Sequence, residues 1–132
     1  MPEFSRAATT SAPIEEVWKL LHDPSRFPEW WSGIETVRTD GPDAYTIWPS
    51  GYPDFPMAQH LHTEHGGGRV TISCLVSDLA YCWQLSDVGN GTRIKVEVEI
   101  PEVEAHRLET QKGLISASLQ RLCELAAASA IE

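Results

Sequence analysis

Positive charge is scarce in this 132-residue sequence, where 10 Lys and Arg stand against 19 Asp and Glu for a formal charge of -9. A surface of that sign repels phosphate backbones and anionic membranes, so no nucleic acid is expected as a partner. Cysteine is also sparse. Cys74, Cys82 and Cys123 are odd in number and lack CxxC spacing, which suits reduced, buried thiols better than a disulfide framework or a structural zinc site. A Cys74–Cys82 bridge between neighbouring strands stays open. No apolar run approaches membrane-spanning length, and Met1-Pro2-Glu3-Phe4-Ser5-Arg6 has no basic segment followed by an apolar stretch. No membrane insertion is therefore expected, and a cytosolic location follows. No G-x-S-x-G, P-loop or dinucleotide fingerprint occurs, so no cofactor is called for. Gly66-Gly67-Gly68 lacks the strand-to-helix context that cradles phosphate and reads as a turn.

What is present is a chain with 42% hydrophobic residues, enough for one well-buried core and too short for two ordinary domains, so residues 1–132 read as one domain. Glu3 to Thr10 is β-compatible. Ser11-Ala12-Pro13 then offers an N-cap with proline in the first turn, and Ile14, Val17, Trp18 and Leu21 fall on one helical face. Asp23-Pro24 breaks that helix, and Ser25 to Trp31 reads as a second short one closed by Gly33. Strands follow over Ile34 to Thr39 and Tyr45 to Trp48. The stretch from Pro49 to Phe55 and Pro56 is too rich in proline for a central strand and reads as an ordered loop. Further strands are expected over Ala58 to His65, Arg69 to Ser77, Leu79 to Leu85 and Ile94 to Ile100, the last preceded by a tight Asn90-Gly91 turn. From Glu104 to about Ser129, the residues Leu108, Gln111, Ile115, Leu119, Leu122 and Ala126 recur at helical spacing.

This order predicts an α+β fold in which a curved antiparallel sheet wraps around a long C-terminal helix. The apolar set includes five Trp, and the helix stripe is diluted by Gln111, Gly113, Ser116 and Ser118. Large rings opposite small or polar residues frame a pocket, although the same pairing also interdigitates ordinary cores.

The stretch Ser11-Ala12-Pro13-Ile14-Glu15-Glu16-Val17-Trp18-Lys19-Leu20-Leu21, with Asp23-Pro24-Ser25-Arg26-Phe27-Pro28-Glu29-Trp30-Trp31 after it, resembles the N-terminal signature of the START-like (SRPBCC) superfamily of polyketide cyclase/dehydrase-like proteins. Gly89-Asn90-Gly91-Thr92-Arg93-Ile94 resembles that superfamily's last turn and strand. The resemblance spans nearly the whole chain. It implies a helix-grip fold of about six to seven strands with a hydrophobic cavity between sheet and helix. The superfamily includes lipid carriers, hormone receptors and aromatic polyketide cyclases, so the resemblance fixes fold better than function.

On these grounds the residues expected to line a cavity are Trp31, Trp48, Tyr81, Trp83, Gln111, Ile115 and Ser118. Tyr81 and Trp83 serve equally well as plain core. Tyr52 and Phe55 are expected at its mouth. Trp30-Trp31 is expected to turn only one ring inward. His60, His62 and Arg69 are the candidates for polar groups inside it. His60, His62 and Glu64 share a strand face that could hold a metal, but burying Leu61 would turn them to solvent, and no metal site is expected. Arg6 and Arg69 read more simply as surface arginines, and Asp78 as a turn residue. Three functions remain open: binding or carriage of a hydrophobic or aromatic small molecule, cyclisation or dehydration of a polyketide-like substrate, and a protein-interaction module of co-chaperone type.

Overall fold

A computed structural model describes residues 2–131. Seven antiparallel strands form one sheet: β1 (Glu3–Thr10), β2 (Ile34–Gly41), β3 (Ala44–Pro49), β4 (Met57–Glu64), β5 (Arg69–Cys74), β6 (Ala80–Asp87) and β7 (Thr92–Glu99). Their spatial order is β1-β7-β6-β5-β4-β3-β2, so β1 and β2, adjacent in the chain, become opposite edges. Two short helices, α1 (Ile14–Leu21) and α2 (Phe27–Trp30), make the crossing between them, and α3 (Leu108–Ile131) closes the chain. This is the helix-grip arrangement. Among the described residues no helix is long and apolar enough to cross a membrane.

Local chemistry explains most boundaries. Pro13, not Ser11, occupies the N-cap of α1 in extended conformation with no side-chain cap, and Glu15 and Glu16 lie in the first turn, where the helix dipole favours acids. The Asp23 carboxylate accepts from the Ser25 N–H at 3.1 Å and starts a 3-10 turn with Pro24 at its head. Trp30 is the last residue of α2 and Trp31 is already extended. That change of backbone sends consecutive side chains the same way, so both rings are buried and stack 5.3 Å apart, not one in and one out as a strand would place them. Trp30 Nε1 donates to the Leu20 carbonyl at 3.0 Å and ties α2 to the open end of α1.

Alternation sets the sheet faces. Val70, Ile72 and Cys74 of β5, Tyr81, Trp83 and Leu85 of β6, and Ile94, Val96 and Val98 of β7 are all buried on the concave side. Strand β5 ends at Cys74, earlier than the apolar pattern suggests. Asp78 adopts φ 61° and its N–H donates to the Cys74 carbonyl at 2.9 Å, so Leu75 and Val76 lie exposed in a turn. Cys74 and Cys82 occupy opposite faces of adjacent strands, and all three cysteines are free thiols. The β6–β7 connection is a longer loop than a two-residue turn, closed by the Val88 N–H on the Gly91 carbonyl at 3.1 Å. Glycine is required at its end, because a Cβ on Gly91 would sit 2.0 Å from the Thr10 carbonyl oxygen.

The last helix begins later than Glu104. Ile100 is fully buried and its N–H bonds the Pro2 carbonyl at 2.9 Å, so the chain first reverses through a 3-10 turn over Glu102–Arg107. Ile115, Ser118, Leu119, Leu122 and Ala126 form the buried stripe of α3. The helix packs on β1, α1 and α2, leaving its N-terminal turns to span the β3–β5 half of the sheet without filling it.

Candidate functional site

A cavity of about 180 Å³ lies between the concave face of β3–β6 and the first turns of α3. The corner after α2 contributes Trp31 and Ile34; the strands contribute Tyr45, Ile47, Met57, Gln59 and Tyr81. Cys74, Ser77 and Leu79 come from the β5–β6 turn region, and Arg107, Thr110, Gln111 and Leu114 from the helix side.

Beneath this space an aromatic cluster forms the floor. Phe27 meets Tyr45 edge-on at 5.5 Å, and Trp31 meets Tyr81 edge-on at 5.2 Å. Trp83 packs edge-to-face with Trp30 and Trp31 at 5.3 and 5.4 Å, spacings typical of stabilising ring pairs. Trp83 is fully buried behind the lining, and its Nε1 is the one sealed, unpartnered side-chain polar atom among the described residues.

The polar groups of the cavity follow from strand register. Tyr45 pairs with Gln59 across β3–β4, and Gln59 with Cys74 across β4–β5, so the three side chains make a row on the concave face. Gln59 Nε2 donates to the Met57 carbonyl at 3.3 Å and to Cys74 Sγ at 3.2 Å. On the opposite wall the Tyr81 hydroxyl donates to Gln111 Oε1 at 3.0 Å. Burial pushes the Tyr45 phenol well up, with smaller contributions from Tyr81 and Cys74. Burial likewise raises Tyr81, helped by Cys74 and slightly opposed by Arg107. Both phenols are therefore neutral hydrogen-bonding groups near neutral pH. At the rim, Arg107 Nε donates to the Glu104 carboxylate. Among the described residues, no carboxylate or imidazole belongs to the lining.

Several residues singled out from sequence lie elsewhere. Trp31, Tyr81 and Gln111 are in the wall, but Trp48 is on the other face of β3, where Arg38 lies 5.5 Å over its ring. Ile115 is core on α3. Ser118, fully buried, donates to the Leu114 carbonyl at 2.6 Å and accepts from the Ser32 N–H at 2.8 Å, linking α3 to the α2–β2 corner instead of facing the cavity. Tyr52 and Phe55 are 64% and 55% exposed and outside the lining, although Pro49 and Met57 on either side of their loop are in it. His60 and His62 point outward with Glu64, because Gln59 and Leu61 take the concave face. Among the described residues no three His, Cys, Asp or Glu side chains converge as a metal site would require. Arg69 is on the outer face, donating to Gln84 Oε1 at 3.0 Å, and Arg6 bonds Ser116 Oγ at 3.3 Å across the β1 edge. Tyr45, Gln59 and Arg107 were missed. The alternation that buries Leu61 also turns Gln59 inward, so that signal was present for Gln59; nothing local marks Arg107.

The family profile described as polyketide cyclase / dehydrase and lipid transport matches residues 1–127. The chain belongs to this family. Among curated proteins none matches it significantly. Solved structures resemble this polyketide cyclase/dehydrase-family chain at low identity, which shows the shared fold. The protein XoxI from Bacillus cereus is 17% identical with a TM-score of 0.78 over 94% of each chain. A protein from Nitrosospira multiformis is 15% identical with a TM-score of 0.79, covering 99% of this chain and 100% of that one. BexL, a di-domain ARO/CYC of the BE-7585A biosynthetic pathway, is 15% identical with a TM-score of 0.79, and the match covers 94% of this chain but 46% of BexL.

Proposed function

We propose that this family member binds an apolar or aromatic small molecule in the cavity between sheet and α3, without covalent chemistry, as a cytosolic protein. The observation that carries the reading is the wall itself: aromatic and aliphatic surface interrupted by a few neutral polar groups, the usual build of a small-molecule site. Trp31, Tyr81 and Gln111 are the proposed contacts. The raised phenols and the absence of a carboxylate or imidazole from the lining favour holding a ligand over moving its protons.

Native mass spectrometry of the freshly purified protein, compared with its denatured mass, tests this directly. A co-purifying small molecule, lost on Trp31→Ala substitution, is the expected result. An empty protein whose tryptophan fluorescence is unmoved by a panel of aromatic and aliphatic probes would overturn it.

A second reading, cyclisation or dehydration of a polyketide-like substrate, is favoured by the polar row on the wall and by the likeness to the ARO/CYC fold. Turnover of a reactive poly-ketone substrate that Tyr81→Phe slows by ten-fold or more would establish it over simple binding.

A further inference from the structure

The cavity offers hydrogen bonds that the protein itself leaves unused. Tyr45 is only 2% exposed, yet among the described residues its hydroxyl has no hydrogen-bond partner. It is not sealed off either, since Trp83 Nε1 alone is both sealed and unpartnered. The hydroxyl therefore opens onto the cavity. The same reasoning applies to Gln59, 3% exposed, whose Nε2 is engaged by Met57 and Cys74 while Oε1 stays free. Register places these two side chains directly opposite each other on β3 and β4. A buried donor and a buried acceptor left open on one wall and not bonded to each other are costly unless an occupant or water satisfies them.

Size and charge narrow the occupant. An engineered cavity of about 150 Å³ in another protein holds benzene, so about 180 Å³ takes one ring with a short substituent, or two fused rings at most. Acyl chains, sterols and larger fused systems are too large to be enclosed in that space. The wall's one cationic side chain, Arg107, is at the rim and already paired with Glu104, so a carboxylate brought inside would lose its hydration without a counter-charge.

Resting on the binding reading above, we infer that the cavity is selective for an uncharged one- or two-ring aromatic compound bearing a carbonyl or hydroxyl group, anchored by the Tyr45 hydroxyl and the Gln59 side-chain carbonyl. Tyr45 donates to a ligand carbonyl, Gln59 accepts from a ligand hydroxyl, and the Trp31 and Tyr81 rings contact the ligand's faces or edges.

The test is titration of the full chain near neutral pH, by calorimetry or tryptophan fluorescence, with four probes of known chemistry. These are para-hydroxyacetophenone, the hydrocarbon para-ethyltoluene, the anion para-hydroxybenzoate, and dodecanoate. The hydroxyketone is expected to bind at least ten-fold more tightly than the anion or the acyl chain. Tyr45→Phe and Gln59→Leu are each expected to weaken the hydroxyketone by about 3- to 10-fold, the worth of one hydrogen bond, while binding para-ethyltoluene as tightly as the native protein or more so, since each makes the wall more apolar. Cooperative thermal unfolding and para-ethyltoluene binding no weaker than that of the native protein show that each variant's wall is intact. If the hydroxyketone gains nothing over the hydrocarbon, or both variants bind it like the native protein, the anchoring inference is wrong and the binding reading survives. Tighter binding of dodecanoate likewise overturns the selectivity alone. If none of the four binds, both readings fall.

Discussion

A phenol kept away from water holds its proton, and two of the three tyrosines are kept that way. In the unfolded chain Tyr45 and Tyr81 ionise in the ordinary range near pH 10, whereas in the fold burial raises both above it. Below that range the two states carry the same protons at these sites and no stability is lost. Above it the unfolded chain releases protons that the folded chain retains, so stability falls as pH rises, by about 1.4 kcal/mol per pH unit for each tyrosine. In an alkaline titration, the phenolate absorbance of Tyr45 and Tyr81 should appear together with the loss of the near-ultraviolet circular dichroism signal. Phenolates of all three tyrosines forming ahead of that loss would place the rings in water. Residue by residue, the sequence marked Tyr81 through its place in an apolar alternation. It gave no such sign for Ser118, whose hydroxyl is spent on the Leu114 carbonyl and the Ser32 N–H, groups brought near it by helix geometry and by a segment 86 positions away.

Among the elements, β4 shows how much a period of two decides. Its pattern of one buried position in two makes Gln59 and Leu61 inward and His60 and His62 outward, and no side-chain rotamer can move a residue to the other face. The double substitution His60→Ala with His62→Ala should leave the melting temperature within roughly 2 °C of native and ligand binding unchanged, as surface changes usually do. Leu61→Ala, by contrast, removes a side chain that is 3% exposed. It should cost about 2–4 kcal/mol, which lowers the melting temperature by about 10 °C in a chain of this size. Differential scanning fluorimetry separates the two outcomes, and a large drop for the histidine pair would put their side chains inside. Element types and order were legible because periodicity is local. Ends were less so: β5 stops at Cys74 because Asp78 takes a left-handed conformation, and α3 waits until Leu108 because Ile100 is held by the sheet edge.

For the molecule as a whole, the lean of α3 divides the sheet into unequal halves. Toward β1, β7 and β6 the sheet is close-packed, with Val96, Val98, Ile94 and Trp83 fully buried. Toward β2 it is thin: that edge strand has two irregularities in register and buries Ile34 alone. Opening free energies should follow the same gradient, because few buried contacts protect the thin side. Hydrogen exchange should show amides of β2 and the adjoining edge of β3 exchanging at least about ten-fold faster than those of β6 and β7, with ligand slowing β3 and β4 most. Uniform protection across the sheet would mean that the cavity half is as firmly held as the rest.

The sequence by itself determined the α+β class, the identity and chain order of the strands, the buried faces of β5, β6 and β7 and the apolar stripe of the last helix. All of these rest on spacing between near neighbours, since a period of 2 or 3.6 states which side of an element a residue takes. Tertiary structure alone decided how far apart the two layers stand at each point. Packing α3 on β1, α1 and α2 leaves its first turns standing off the β3–β5 half of the sheet, and only that offset makes Tyr45 and Gln59 cavity wall while Trp83 and Ile115, equally inward by pattern, become solid core. The distance between sheet and helix depends on contacts between residues remote in the chain, and no local pattern encodes it.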